Sequence, residues 1–492
     1  MKNIQLPLLI VAFCSASILH SCNEPPKVLE SISKSDLNET VSYLSSKELS
    51  GRLPGTEGYN KAADFVAGKF KKYNLQPLSG TSYFQNVDIE FNEILECNTA
   101  IETPSEEWKK LKLGSDYVCR GFSGSGDIEA EVAFVGYGLS RPDIGYDDYA
   151  NVDVEGKIVL MFKYDPRWKM DEEGWGPASL RRKVQHAAEH GAKGVVYLSF
   201  PNDRNPQKPI GSIMHGPGKQ YQDIPQIHLD LSIAEQLFEG SGKQLADLQT
   251  AIDENKTPAS VLLDKKMKIQ VKADYKPKAV CKNVVGILPG TDPELKDEYV
   301  ILGAHLDHVG RQSEEFYFPG ANDNASGVAS LLEVAEAFSL EHAKRSIVFI
   351  AFTSEESGLV GSQAFVDREE IPVEKITSML NMDCVAHGDS IVIGSGKSYP
   401  KLYRIAREQD SLMNNMVIDR TWRGGGADAE AFHQAGIPTL YFATQNSYTY
   451  LHLPGDKTET LNPTLHEQLT KVVYATAKEV ANGNYMKEDA QQ

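Results

Sequence analysis

Histidine, aspartate and glutamate recur in one setting along the second half of this sequence, immediately after a run of apolar residues. YVILGA is followed by His305-Leu306-Asp307-His308, SIVFIAFTS by Glu355-Glu356, and ITSMLNM by Asp383. GANDNASG places Asp323 just ahead of a helical stretch, and SYTYLHLPGD supplies His452. Imidazole nitrogen and carboxylate oxygen are donors that zinc accepts, and a catalytic zinc site keeps a position open. Two histidines and several carboxylates at successive strand ends are what a two-metal hydrolytic site requires. A single acidic residue after a strand is more often a turn former or a helix cap. A whole set of them crowding one sheet edge is different, because unpaired buried carboxylates cost several kcal/mol or shift to neutral. A pair of divalent cations removes that objection, including for the adjacent Glu355 and Glu356.

The elements that must position these residues are readable from pattern. VVGILPG, YVILGAHL, SIVFIAFT, ITSMLNMD and IPTLYFAT are continuous apolar runs alternating with helical segments such as ASGVASLLEVAEAFSL (325–340). Apolar strands without strict alternation, separated by helices, predict a mixed, mostly parallel central sheet covered on both faces, an α/β fold. Ligands gather beyond the carboxyl ends of such strands. Upstream, AEVAFVGYGL (130–139), GKIVLMFKY (156–164), VQHAAEHGAKGVVYLSF (184–200) and IPQIHLD (224–230) predict a smaller α/β unit ending near residue 274, where the polar KADYKPKAV begins. YNKAADFVAGKFKKYNL (59–75) predicts an amphipathic helix after the loop-forming GRLPGTEG. The expected organisation is 1–21 signal peptide, 22–115 N-terminal part of the main domain, 116–274 inserted domain and 275–492 main part.

The chain has 492 residues, beyond one ordinary core, with 41% hydrophobic and 24% charged residues. Its net charge of −18 argues against nucleic acid, which demands clustered Lys and Arg. The N-terminus MKNIQLPLLIVAFCSASILHSC carries Lys2, then an apolar stretch too short for a comfortable membrane span, which fits a secretory signal. Leu19-His20-Ser21-Cys22 resembles a bacterial lipobox, with His20 departing from the usual small or aliphatic residue. It implies export to the cell envelope and membrane anchoring through acylated Cys22; cleavage as an ordinary signal peptide is the alternative. Cys97, Cys119, Cys281 and Cys384 remain for the folded part, and nothing in their spacing selects a disulfide pairing.

Residues 299–456 resemble the dizinc aminopeptidase family, relatives of glutamate carboxypeptidase and the transferrin receptor ectodomain, through AHLDHVG, GANDNASG, TSEESGLVGS, NMD and LHLPGD. GRLPGTEG resembles that family's lead-in segment. VGYG, DYANVDVEGKIVL and HGAKGVV, within 116–274, resemble the protease-associated (PA) domain inserted in some members. The resemblance implies two zinc ions per chain, with His305 and Asp383 on one, Glu356 and His452 on the other, and Asp323 bridging. It implies Glu355 as general base, taking a proton from zinc-activated water and passing it to the leaving amine, and Asp307 as the acceptor that orients His305. The implied substrates are peptides with a free N-terminus.

The sequence departs from the family pattern twice. Where a Tyr commonly precedes the last histidine stands Leu451, leaving Tyr450 as a weak oxyanion candidate. Where Ser-Asp-His is usual, Ala427-Asp428-Ala429 stands, with Asp428 a candidate substrate-site residue. Two further readings have sequence-level discriminators. A catalytically inactive binding module would have lost ligand positions, yet all five are filled. A glutaminyl-cyclase-like transferase would use a single zinc, whereas His305 together with a bridging Asp323 favours two.

Overall fold

The computed structural model describes residues 27–491 apart from 104, 169–174, 176–178, 214–215 and 217. The expected signal peptide and Cys22 lie outside the described residues. The chain opens with α1 (Lys34–Leu44) and α2 (Glu57–Lys72). Thr56 caps α2, its hydroxyl accepting from the Tyr59 N–H at 3.3 Å, and Tyr59, Ala62, Ala63, Val66 and Phe70 form the buried face. The long strand β1 (Phe84–Glu102) then leads away, followed by β2 (Tyr117–Cys119), β3 (Gly126–Phe134), β4 (Ile158–Phe162), α3 (Leu180–Glu189), β5 (Gly194–Leu198), β6 (Gln226–Leu229), α4 (Leu231–Phe238) and α5 (Leu245–Asn255).

A 28-residue strand, β7 (Val261–Leu288), returns from this unit to the main body. Its first half pairs antiparallel with β3 (Val271 opposite Gly126), and its last residues pair antiparallel with β9, defined below (Val284 opposite Ala351). β1 runs antiparallel beside it from Met267 to Val284, with two register shifts. Residue 274, within the polar KADYKPKAV, therefore lies inside a strand. Its alternation of half-exposed and buried positions is that of a ribbon with one wet face.

Beyond β7 come β8 (Tyr299–His305), α6 (Gly327–Leu340), β9 (Ser346–Phe352), α7 (Val360–Arg368), β10 (Ile376–Met382), β11 (Ile391–Gly394), α8 (Pro400–Met413), α9 (Ala429–Gln434), β12 (Thr439–Thr444) and α10 (Pro463–Ala481). The sheet order is β11-β12-β10-β8-β9-β7-β3-β4-β5-β6-β2. β8, β9, β10 and β12 are parallel; β11, β7 and β2 run against their neighbours. The apolar runs are continuous because both faces are covered. Val300, Leu302 and Ala304 point into one core with α1, α2, α6 and α10, while Ile301 points into another with Phe352, Phe365 and Phe432.

Residues of α1 and α2 share the first core with Val284–Tyr485, so the segment between is an insertion into a folded unit. The insertion has its own core around Phe134, Phe162 and Ile252. A further apolar cluster, Leu53, Val309 and Phe318 with Phe122, Tyr197 and Ile213, bonds insertion to main body. All four described cysteines are buried free thiols. No helix among the described residues is long and apolar enough to cross a membrane.

Candidate metal centre

Parallel register brings the strand ends together. Gly303 pairs with Asn381, so two residues further along, His305 and Asp383 stand side by side. On the other side His305 pairs with Phe352, and Glu355 and Glu356 follow at the turn beyond β9. Asp323 comes from the turn Ala321–Ser326 that opens α6. His452 comes from the loop beyond β12, in a left-handed backbone conformation (φ 53°).

Two donor groups result, and they share Asp323. His305 Nε2 lies 3.3 Å from Asp323 Oδ1 and 3.4 Å from Asp383 Oδ1. His452 Nε2 lies 3.2 Å from Asp323 Oδ2 and 2.8 Å from Glu356 Oε2. The structure thus brings together all five side chains proposed above as ligands. It adds His308, whose Nδ1–H donates to Glu356 Oε1 at 3.0 Å and lies 3.6 Å from Asp323 Oδ2. Glu355 belongs to neither group; its Oε2 is 4.0 Å from His305 Nε2.

The donor chemistry fits divalent cations. Asp323 Oδ2, Asp383 Oδ1 and His308 Nε2 are buried and make no hydrogen bond among the described residues. Such bare polar atoms are costly unless a ligand completes them. His305 Nδ1–H donates to the Asp307 carbonyl at 3.1 Å, which leaves the Nε2 lone pair facing the carboxylates. Without a cation the charges must satisfy one another. Burial alone would lower the pKa of His305, but Glu355, Asp323 and Asp383 outweigh it and hold the imidazole well above its usual range. Glu356 and Asp323 do the same to His452. Burial pushes Glu355 well up, and neighbouring Asp428, Glu356 and Asp383 add to it.

Asp307 acts differently from the expected carboxylate–histidine contact. Its carboxylate is 3.8 Å from His305 Nδ1 and instead accepts the backbone N–H groups of Glu355 (3.1 Å) and Glu356 (3.2 Å). The backbone carbonyl of the same residue orients His305, so Asp307 joins β8 to the glutamate turn. Asp456 has a parallel part. It accepts the N–H groups of Asn322 (2.8 Å) and Asp323 (3.0 Å), fixing the turn that presents Asp323.

Tyr450 packs edge-on against His387, ring centroids 5.3 Å apart. Residues Ser447–Tyr450 form a 3₁₀ turn, where side chains rotate by thirds instead of alternating. The hydroxyl of Tyr441, within β12, donates to Asp383 Oδ2 at 3.1 Å, with the Tyr448 hydroxyl 3.3 Å beyond. Asp428 is fully buried next to the start of α9, and neither oxygen has a hydrogen-bond partner among the described residues. Burial raises its carboxyl to about 7, with Asp307 and Asp383 adding repulsion. It stands behind Glu355 electrostatically and is not in either donor group.

Arg52, in the GRLPG loop, is a residue that pattern reading missed. Its buried guanidinium donates to the carbonyls of Leu306 (2.9 Å), Leu44, Pro319 (2.9 Å) and Gly320 (2.9 Å). It thereby ties the segments carrying His305 and Asp323 to the N-terminal region. The only available signal was an arginine inside a glycine-proline loop.

Residues 283–477, which hold every donor described, match peptidase family M28. The chain carries a family M28 peptidase domain. Residues 128–237 match the PA domain. A glutamate carboxypeptidase 2 homolog of Caenorhabditis briggsae is 27% identical over 403 residues, 67% of this chain and 50% of that protein. The chain thus spans about half the length of that relative. Aminopeptidase YwaD of Bacillus subtilis is 24% identical over 465 residues, 89% of this chain and 83% of that one. Among solved structures, a zinc aminopeptidase from Bacillus subtilis is 20% identical with a TM-score of 0.64, covering 94% of this chain and 98% of its own. At that identity the likeness establishes the fold alone.

Proposed function

We propose that the protein is a zinc-dependent aminopeptidase that hydrolyses the N-terminal bond of peptides. The observation that carries the reading is a pair of donor groups sharing Asp323, with the unshared carboxylate of Glu355 beside them. His305 and Asp383 would hold one zinc, Glu356 and His452 the other, and Asp323 would bridge. The similar aminopeptidases, one of them a zinc enzyme by title, support this assignment. Bound there, zinc supplies the Lewis acidity that brings water ionisation into the neutral pH range.

Glu355 takes the proton from the attacking water as its oxygen bonds to the scissile carbonyl carbon. As the C–N bond breaks, Glu355 returns that proton to the leaving amine nitrogen. Burial among carboxylates raises its proton affinity, which suits a group that must both accept and release a proton. His308 holds Glu356 in place, and Asp307 holds the turn on which both glutamates stand. The excess of carboxylates at the cluster attracts the α-ammonium of a free N-terminus and so favours exo-cleavage.

The test compares free and N-acetylated peptides with and without a chelator, alongside metal analysis. Release of the first residue from the free peptide only, abolished by chelation, supports the reading. Cyclisation of Gln-initiated peptides without hydrolysis would instead favour a transferase. Export and acylation at Cys22 belong to the same proposal. Full-length protein should fractionate with membranes, and Cys22→Ala should release it.

A further inference from the structure

The insertion presents a cationic wall to the metal centre. A cavity of about 400 Å³ lies between them, lined by Arg120, Lys163, Gly211 and Ser212 from the insertion and by Glu356 and His452 from the M28 domain. Arg120 is 3% exposed. Its Nη1 donates to the Ile210 carbonyl at 3.1 Å, while Nε has no hydrogen-bond partner among the described residues. Lys163 is 8% exposed, with Nζ donating to the neutral Gln207 Oε1 at 2.6 Å. Neither cation makes an ion pair with a carboxylate among the described residues, although the chain as a whole is strongly acidic.

Two nearly buried basic groups without a counter-charge are expensive to keep charged. Burial pushes the Lys163 ammonium down to about 6, and the neighbouring Arg120 guanidinium adds repulsion. Behind them His228 is held neutral by burial and by the same two cations. An anion entering the cavity would supply the missing counter-charge and relieve the repulsion. The cavity has the carboxylate of Glu356 at the metal end; at the far end Asp165 is paired with Lys183 (3.1 Å), and Arg120 and Lys163 are the basic groups with no carboxylate partner among the described residues. A small peptide carries that same polarity, with an ammonium at its N-terminus and carboxylate further along.

We propose that Arg120 and Lys163 form a carboxylate subsite for the leaving-group side of the substrate, so that the protein prefers short peptides or peptides acidic beyond the scissile bond. This rests on the hydrolytic reading above, and it assigns the PA insertion a direct part in substrate selection. The carboxylate has two possible sources, the C-terminal α-carboxylate of a dipeptide or an Asp or Glu side chain.

The experiment measures kcat/KM of the zinc-loaded protein on a dipeptide, its C-terminal amide, and the amide with Asp in second position. A charge-assisted pair at a desolvated site predicts about tenfold preference for a carboxylate-bearing substrate over the neutral amide. Preference for the free dipeptide assigns the α-carboxylate; preference for the Asp amide assigns the side chain. In Arg120→Gln and in Lys163→Gln the preference ratio should fall toward one. If all three substrates are cut equally by wild type, the subsite is overturned while the hydrolytic reading stands. If none is cut, the hydrolytic reading fails and the subsite with it. A readout free of turnover uses metal-free protein: millimolar N-acetylglycine should raise the melting temperature of wild type but not of Arg120→Gln. An equal rise with N-acetylglycine amide would also overturn the subsite.

Discussion

The backbone N–H of Gly211 donates to the carbonyl of His452 at 2.8 Å. The PA insertion thus holds the last histidine of the metal centre by its main chain, across more than 200 residues of sequence. A side chain at 211 has no room, since a Cβ there would stand 2.7 Å from Val309 Cγ2 and 3.0 Å from Phe318 Cζ. Gly211→Val should push the loop off His452 while the main core survives. Misplacement of this kind costs about a hundredfold in kcat/KM. Steady-state kinetics against an unchanged far-ultraviolet circular dichroism spectrum checks it.

The adjacent glutamates should separate under substitution. Glu355→Gln should retain metal and lose about 10²–10⁴-fold in kcat, the range of a general base. Glu356→Gln should lose metal, because it removes a charged donor and leaves His308 and His452 without their carboxylate. Metal content of the two purified variants, set beside their turnover, distinguishes the roles. Metal loss in the Glu355 variant would contradict the proposed division.

Removing metal should destabilise the fold as well as stop turnover. Asp323, Glu355, Glu356 and Asp383 crowd three histidines, and the chelated protein must hold that charge unassisted. Zinc at a hundred times its Kd adds about 2.7 kcal/mol to the folded state. Thermal melts with chelator, and after zinc is restored, should show a reversible fall in Tm.

Arg52→Met should be among the most damaging substitutions. It strands the buried carbonyls of Leu44, Leu306, Pro319 and Gly320 near the site. Loss of a buried, fully bonded charged group costs about 3–5 kcal/mol. Arg52→Lys should rescue little, since an ammonium cannot reproduce the planar fork. Urea denaturation of both variants provides the comparison.

His466 should set part of the acid limit of stability. It lies buried on α10 facing α6, with Nε2 3.0 Å from both the Ser326 carbonyl and the Ser330 hydroxyl, while Nδ1 has no partner among the described residues. Protonation would put a charge on that bare nitrogen, and burial lowers the pKa to about 4. The unfolded chain takes up its proton near pH 6.5, so stability is complete above that pH and falls as the pH drops toward 4. The loss attributable to this group is about 3 kcal/mol at most. His466→Gln should flatten this part of the stability–pH curve relative to wild type.

Much of this architecture was legible from local pattern. Continuous apolar runs identified doubly covered strands, and residues following parallel strands must meet at one edge. That is why His305, Glu356 and Asp383 could be grouped without coordinates. Asp323 was legible for a related reason, since it stands where a loop enters a helix. The extent of β7 was not, because half-exposed polar residues on a ribbon read like a linker.

What remained hidden depends on contacts between distant segments. Arg52 meets the site through carbonyls more than 250 positions away, and carbonyls leave no trace in residue type. Asp307 was recognisable by spacing, yet whether its carboxylate or its carbonyl meets His305 is a matter of rotamer and turn geometry. The contact of Tyr441 with Asp383 depends on the pairing of β12 with β10, and the entry of His308 on how its loop packs. Apolar periodicity and residue chemistry thus determine the strands, their common edge and the donors standing on it, because these follow from local backbone geometry. Packing of remote loops decides which atom of each donor faces inward and which wall the insertion presents, because those depend on three-dimensional approach that no local pattern encodes.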